Sequence, residues 1–259
     1  MSQESLLETG DAESIYALFS GGHDSLTSTA LAAKHPLFRG VVHINTGIGI
    51  EDTRTFVRET CEQQGWPLTE ACAPEGRYEE MVLTRGGFPS GPASHNSMLF
   101  YLKQQPLNRW FKTIEGKVGL VTGIRKQESV RRMGAGISVP VRPDGRKVWI
   151  SPILDWSKVD CGRFMEAEGL PRNPVVDLLH RSGECLCGAL ARPDEIHDIS
   201  AYFPDTARRL NALEHECEAR GIASCVWAGR EGRNVHHAQQ ALFSKADLAP
   251  LCTSCEAQA

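Results

Sequence analysis

At 259 residues the chain can bury a substantial core, as one large domain or as a domain with an appendage. Its 28 basic and 32 acidic residues leave a net charge of −4, which argues against broad electrostatic attraction to nucleic acid or an anionic membrane, although Arg125-Lys126 with Arg131-Arg132 could form a local basic patch. No apolar run is long enough to cross a bilayer, and the acidic, polar N-terminus lacks the layout of a secretory signal, so a cytoplasmic protein with no membrane partner is expected.

The apolar run 15–19 predicts a first strand, followed by a glycine-rich turn and a helix to about residue 34. Residues 41–44 predict a second strand, 51–64 a helix stopped by Gly65, and 68–72 a third strand. Residues 118–122 and 148–150 read as two further buried strands. Apolar strands separated by helical stretches imply crossover connections, hence an α/β fold with a doubly wound, mostly parallel sheet covered on both faces. Ser157 and Asp160 give a capping-box-like start to a helix that runs to about Glu168 and stops at Gly169. Beyond Pro174 strand signals become scarce and cysteines cluster, while 205–220 and 235–242 look helical. The expected organisation is an α/β domain over residues 1–174 and a small, mostly helical, cysteine-bearing region over 175–259.

The loop Ser20-Gly21-Gly22-His23-Asp24-Ser25 follows the first strand and opens the first helix. Adjacent glycines let the backbone turn sharply and bring its N–H groups against a ligand, and the helix N-terminus adds partial positive charge. The hydroxyls of Ser20 and Ser25 are read as additional donors. A plain strand-to-helix turn capped by Asp24 or Ser25 is the competing reading. The loop is not the Walker pattern, because no Lys-Ser/Thr follows the glycines.

This loop resembles the PP-loop, SGGxDS, of ATP pyrophosphatases in the adenine-nucleotide α-hydrolase-like group, with His23 where many members carry lysine. Asn45-Thr46-Gly47 through Glu51-Asp52-Thr53 is similar to a segment of the phosphoadenosine-phosphosulfate (PAPS) reductase family. Gly123-Ile124-Arg125 through Glu128-Ser129 and on to Arg132 resembles the same family's G-x-R-x-x-E-S-x-x-R, and Pro152 through Asn173-Pro174 its P-x-x-x-W…D…G-L-P-x-N-P stretch. Lys103 and Pro106 fit a weaker K-x-x-P element. The resemblance implies an adenine-nucleotide ligand, ATP with magnesium, held by residues 20–25, Thr46, Gly47, Lys103, Gly123, Arg125, Glu128 and Arg132. In that reading Arg125 and Arg132 supply planar donors to phosphate or sulfate oxygens. Glu128 pairs with one of these arginines, and Asp24 orients the loop or sits on the magnesium side. Lys103 neutralises phosphate charge or is simply a solvated helix lysine.

Nine cysteines in a chain without a signal sequence point to thiols or metal ligation and away from a disulfide framework. Cys185-Leu186-Cys187 and Cys252-Thr253-Ser254-Cys255 are two close pairs of the kind that converge on one ion or cluster. The layout is similar to that of assimilatory adenylylsulfate reductases, which implies a [4Fe–4S] cluster, with zinc as the rival occupant. Cys217 and Cys225 are further candidate ligands, helix-face packing being the better reading for Cys217. Cys61, Cys72 and Cys161 read as small buried hydrophobes.

Three functions are carried forward. The leading expectation is an ATP pyrophosphatase that adenylates an acceptor during sulfur transfer, the expected acceptor being a nucleic acid and the partner a sulfur donor of unspecified kind, with an iron–sulfur centre assisting. The tail after Cys255 holds no ECG-type catalytic cysteine, which favours this reading. The alternative is a reductase of adenylylsulfate or its 3′-phosphorylated form, served by a thioredoxin-like partner. The third is a nucleotide-binding protein without turnover and with structural zinc. Oligomeric state is left open, a homodimer included.

Overall fold

The computed structural model describes residues 7–89, 92–128, 139–189, 191–192 and 194–229. Arg131, Arg132, the 235–242 stretch, Cys252 and Cys255 lie outside the described residues, as does the side chain of Glu128.

Six strands form one sheet: β1 (Ser14–Leu18), β2 (Phe38–Asn45), β3 (Leu68–Cys72), β4 (Val118–Val121), β5 (Val141–Asp144) and β6 (Lys147–Ile150). Their order is β3-β2-β1-β4-β6-β5, with β5 antiparallel to β6 and every other pairing parallel. The doubly wound α/β expectation holds, and the antiparallel edge hairpin is an addition to it. All four residues of β4 are buried, as a central parallel strand covered on both faces requires. The chain builds β1, β2 and β3 in one direction, then crosses back to place β4 on the other side of β1. The carboxyl ends of β1 and β4 are therefore a topological switch point, where open α/β sheets form a crevice.

Helices α1 (His23–Ala33), α2 (Glu51–Gln63) and α6 (Lys158–Ala167) cover one face, meeting Phe19 and Val41 through Leu26, Phe56, Val57, Cys61 and Met165. Helices α3 (Arg77–Thr84), α4 (Pro92–Leu99) and α5 (Gln105–Phe111) follow β3, with a π turn at Phe100–Gln104 between the last two. Leu99 and Leu107 cover the opposite face over Val42, Leu120 and Trp149. The capping box at the start of α6 is present as expected: Asp160 N donates to Ser157 Oγ, and Ser157 N donates to Asp160 Oδ2.

After α7 (Pro174–Leu179) come α8 (Glu195–Tyr202) and α9 (Pro204–Ala219). They do not stand apart from the sheet domain. Val175, Leu179, Ile199, Leu210, Cys217 and Trp227 share one core with Ile48 and Ile50 after β2 and with Tyr78 and Met81 of α3. Cys61, Cys161 and Cys217 are buried as read from the sequence. Cys72 is a correction: it is exposed, because it ends the edge strand β3 and alternates outward from buried Ala71. Among the described residues no helix is long and apolar enough to cross a membrane.

Leu120 is fully buried at the centre of β4. Leu120→Ala is expected to cost about 2–5 kcal/mol, read as a lower urea midpoint with an unchanged slope.

Candidate functional site

The switch point opens into a cavity of about 250 Å³ between two walls. One wall is Ser20, Gly22, His23, Asp24 and Ser25 after β1, together with Gly123 and Arg125 after β4. The other is Lys158 at the start of α6, Arg172 before α7, and Val176, Asp177, His180, Arg181 and Ser182 from α7 onward. The second wall was not assigned from the sequence, although Arg172 sits inside a quoted motif.

The loop's shape follows from its glycines. Gly21 has φ of +82°, and a Cβ there would come within 2.6 Å of Thr53 Cγ2. Its carbonyl accepts from Asn173 Nδ2 at 2.9 Å, and Asn173 Oδ1 in turn accepts from Val175 N, so one buried side chain caps α7 and fixes the loop. Ser25 differs from expectation. Its hydroxyl donates to Gly22 O at 2.8 Å and accepts from Ser20 N at 3.3 Å, so its proton is spent inside the loop. Asp24 caps no helix; Gly22 is the N-cap residue of α1 and has no side-chain cap.

Asp24 instead faces Arg125, whose Nε lies 2.8 Å from Asp24 Oδ2. Arg125 is 5% exposed, so the pair orients a guanidinium that has little access to solvent. Burial pushes the neighbouring Cys161 thiol up to about 12, and Asp24 beside it adds to the shift. Arg172 pairs with Asp177, and Arg181 with buried Glu195. Arg125, Lys158, Arg172 and Arg181 outnumber Asp24 and Asp177 on the walls, so the lining is net cationic without counting His23 and His180. Burial, with the Arg172 guanidinium adding to it, lowers the pKa of His23, while Asp177 and Asp24 oppose the shift.

Thr46, Gly47 and Lys103 do not line this cavity. Lys103 is buried in the π turn. Thr46 serves Glu184, a buried carboxylate that the sequence reading left without a role. Glu184 Oε1 accepts from Thr46 N at 2.8 Å and from Thr46 Oγ1 at 3.1 Å, and Thr46 Oγ1 also lies 2.6 Å from Glu184 O. Glu184 Oε2 is 3.3 Å from His43 Nε2, and His43 Nδ1 is 2.8 Å from Phe19 O, one residue before the loop. Burial alone would lower the pKa of His43, but the adjacent Glu184 carboxylate outweighs it and raises the value. Burial alone would raise that of Glu184, but His43, the Thr46 N–H and Arg54 together hold it low.

Cys185 and Cys187 follow directly and are both buried in the core shared with Tyr78 and Trp227. Tyr78 donates to Cys187 O at 3.0 Å, and Cys187 Sγ lies 3.8 Å from His95 Nδ1. Two buried thiols one residue apart are of a kind to form half of a four-cysteine cluster site. The other two cysteines of that set lie outside the described residues, and the described ones alone bring together no group of three ligands able to hold a metal ion.

The sequence profile of the phosphoadenosine phosphosulfate reductase domain family matches residues 14–185. An uncharacterized protein of Methanocaldococcus jannaschii is 26% identical over 188 residues, covering 72% of this chain and 44% of its own, so the chain spans less than half of that relative. An adenosine 5′-phosphosulfate reductase of Burkholderia cepacia is 25% identical over 174 residues, covering 66% of this chain and 67% of its own. Among solved structures, phosphoadenylyl-sulfate reductase of Candida auris is 17% identical with a TM-score of 0.48, over 63% of this chain and 77% of that one. The U34-tRNA thiolase NcsA of Methanococcus maripaludis, solved with its [4Fe-4S] cluster, is also 17% identical, with a TM-score of 0.45 over 88% and 83%.

Two outcomes follow from this geometry. A Cβ on Gly123 would lie 2.5 Å from Ser25 N and 2.7 Å from Asp24 C. Gly123→Ala therefore has to displace the loop backbone, and is expected to weaken anion binding at least tenfold by calorimetry while the chain stays folded by circular dichroism. Glu184→Gln breaks a buried ion pair and is expected to cost about 3–5 kcal/mol. The pair contributes in full above the ordinary carboxylate value near pH 4.5 and below the ordinary imidazole value near pH 6.5. It fades as pH falls through the lowered Glu184 value or rises through the raised His43 value. Urea titrations should accordingly find the gap between the two proteins widest at about pH 4.5–6.5 and narrower at about pH 9.

Proposed function

Because the chain belongs to the phosphoadenosine phosphosulfate reductase domain family, we propose that it is an ATP pyrophosphatase of the PP-loop type that adenylates an acceptor for sulfur transfer. The observation that carries this reading is the pairing of buried Arg125 with Asp24 of the glycine loop in the lining of a net cationic cavity. A triphosphate laid along that cavity meets the loop at one end and Lys158 and Arg172 at the mouth. An acceptor oxygen attacks the α-phosphorus, forming an O–P bond and breaking the bond to the bridging oxygen, so that pyrophosphate leaves with the electron pair and the acceptor's proton passes to solvent. The guanidinium and ammonium groups stabilise the charge that builds on the departing pyrophosphate. Magnesium enters with the nucleotide as part of the substrate and spreads that charge further. A sulfide-class nucleophile then displaces AMP from the adenylated acceptor, for which we infer a nucleic-acid base or backbone group. The two cysteine pairs would hold an iron–sulfur centre that presents the sulfur.

A second reading, reduction of adenylylsulfate to sulfite and AMP, is favoured by the name of the Burkholderia relative and by the family's own description. It needs a thiolate at the sulfate sulfur. Cys161, the thiol beside Asp24, is a poor candidate, because burial holds it protonated.

The two readings give different products. The full chain with ATP and magnesium is expected to release AMP and pyrophosphate, detected by ion-exchange chromatography, and ADP with orthophosphate would defeat the proposal. Sulfite from adenylylsulfate and a thioredoxin-like donor, without turnover of ATP, would establish the second reading instead. Arg125→Ala is expected to lower kcat/KM for pyrophosphate release by about 100-fold or more.

A further inference from the structure

Two buried polar atoms on the cavity wall have no hydrogen-bond partner among the described residues: His23 Nε2 and Ser182 Oγ. Native interiors retain few such atoms, because a buried donor that loses water without gaining an acceptor is destabilising. The other described side chains with an orphaned buried atom belong to ion-paired groups, as in His43–Glu184, Arg125–Asp24 and Arg181–Glu195. His23 and Ser182 have no such compensation.

Ser182 is 5% exposed and is fixed from behind, since its backbone carbonyl accepts a hydrogen bond from Thr53 Oγ1 on α2. It stands opposite the centre of the glycine loop: a methyl group built on Gly22 would come 3.7 Å from Ser182 Cβ and 3.7 Å from Ser25 Oγ. Ser182 therefore lines the same space as the loop backbone. His23, the first residue of α1, approaches that space from the loop side, with Arg172 and Lys158 among the charges around it.

We propose that Ser182, from the segment after α7, is a phosphate-binding residue that closes the glycine loop into a two-sided cradle, with the His23 imidazole in its Nε2–H tautomer as the second unspent donor. Both donate to oxygens of one tetrahedral oxyanion of the ligand. The inference rests on the nucleotide reading above and deepens it, because it assigns a donor well outside the loop motif. It also accounts for the unpaired state of the two atoms, each of which would gain from the ligand a partner that the described residues do not supply.

The test uses the full chain and calorimetric titration with Mg-ATP, inorganic pyrophosphate and adenylylsulfate, alongside the thermal midpoint without ligand. Ser182→Ala is expected to weaken ATP and pyrophosphate binding by about tenfold while leaving the ligand-free midpoint unchanged or higher, since the variant loses an unsatisfied buried hydroxyl. His23→Phe keeps the ring and should show the same pattern. Unchanged affinity in both variants, in a protein that still converts ATP to AMP, would overturn the two-sided cradle and leave the adenylation reading standing. A lower midpoint with unchanged affinity would make Ser182 a structural hydroxyl and overturn it equally. Weakening confined to adenylylsulfate would keep Ser182 as an oxyanion donor but refute adenylation by ATP. If the wild-type chain binds none of the three, both inferences fall together.

Discussion

The site depends on one buried negative charge. Glu184 sits in the interior at 1% exposure, and a carboxylate there is tolerable only if every side of it is answered. The answers come from two stretches of chain: the His43 imidazole of β2 with the Thr46 N–H and hydroxyl just past its end, and the Arg54 guanidinium of α2 at 4.0 Å. Because His43 turns its other nitrogen to Phe19 O, the same network sets the exit of β1 from which the glycine loop springs. A one-sided change to this set leaves a charge stranded in a low-dielectric interior, which makes the arrangement close to all-or-none.

That constraint explains why the cavity has two walls that hold still. The sheet's strand order opens a crevice at β1 and β4, but a crevice alone has no second side. Asn173 bridges Gly21 to the first turn of α7, Thr53 holds Ser182, and Gly183 O accepts from Ile50 N at 3.0 Å. The 172–184 segment is thereby fastened across the loop. Its basic side chains would repel one another in the absence of an anion, and the structure offsets this locally by pairing Arg172 with Asp177 and Arg181 with Glu195. Lys158 and Arg172, which are more exposed, place positive charge at the solvent side of the lining.

How much of this could be read from the residues depends on the range of the interaction. The central parallel strands were legible because burial on both faces forces continuous apolar runs, and β4, Val118–Val121, falls within its predicted span of 118–122. The glycine loop was legible because only glycine tolerates the φ of Gly21 so close to Thr53. The β5 strand was missed: Val141-Arg142-Pro143-Asp144 is a polar, half-exposed edge, and its pairing with β6 comes from the hairpin and not from hydrophobic pattern. Cys72 was misjudged by residue type when the alternation of its own strand pointed outward. Glu184 and Ser182 carried no local signal at all. They lie in an irregular polar stretch, and Glu184 meets Thr46 only after 138 residues of intervening chain have folded.

The same long-range ties bear on the two cysteines that follow Glu184. A boundary at residue 174 separates strand-bearing from helix-bearing sequence, yet the packing does not respect it, because Cys185, Leu186 and Cys187 lie in one core with Ile48, Ile50, Tyr78 and Trp227. Trp227 Nε1 donates to Leu186 O, and Tyr78 to Cys187 O, so the backbone between the thiols is held on both sides. Close-packed interiors transmit displacement because they have no slack to absorb it. A ligand on the two thiols would therefore act on a segment whose neighbour, Glu184, anchors Thr46 and His43, and through His43 the first residue beyond β1. Two side chains, Glu184 and His43, separate the thiol segment from the residue that precedes the glycine loop. Cys185, Cys187 and the glycine loop are accordingly tied to one another through the shared carboxylate between them.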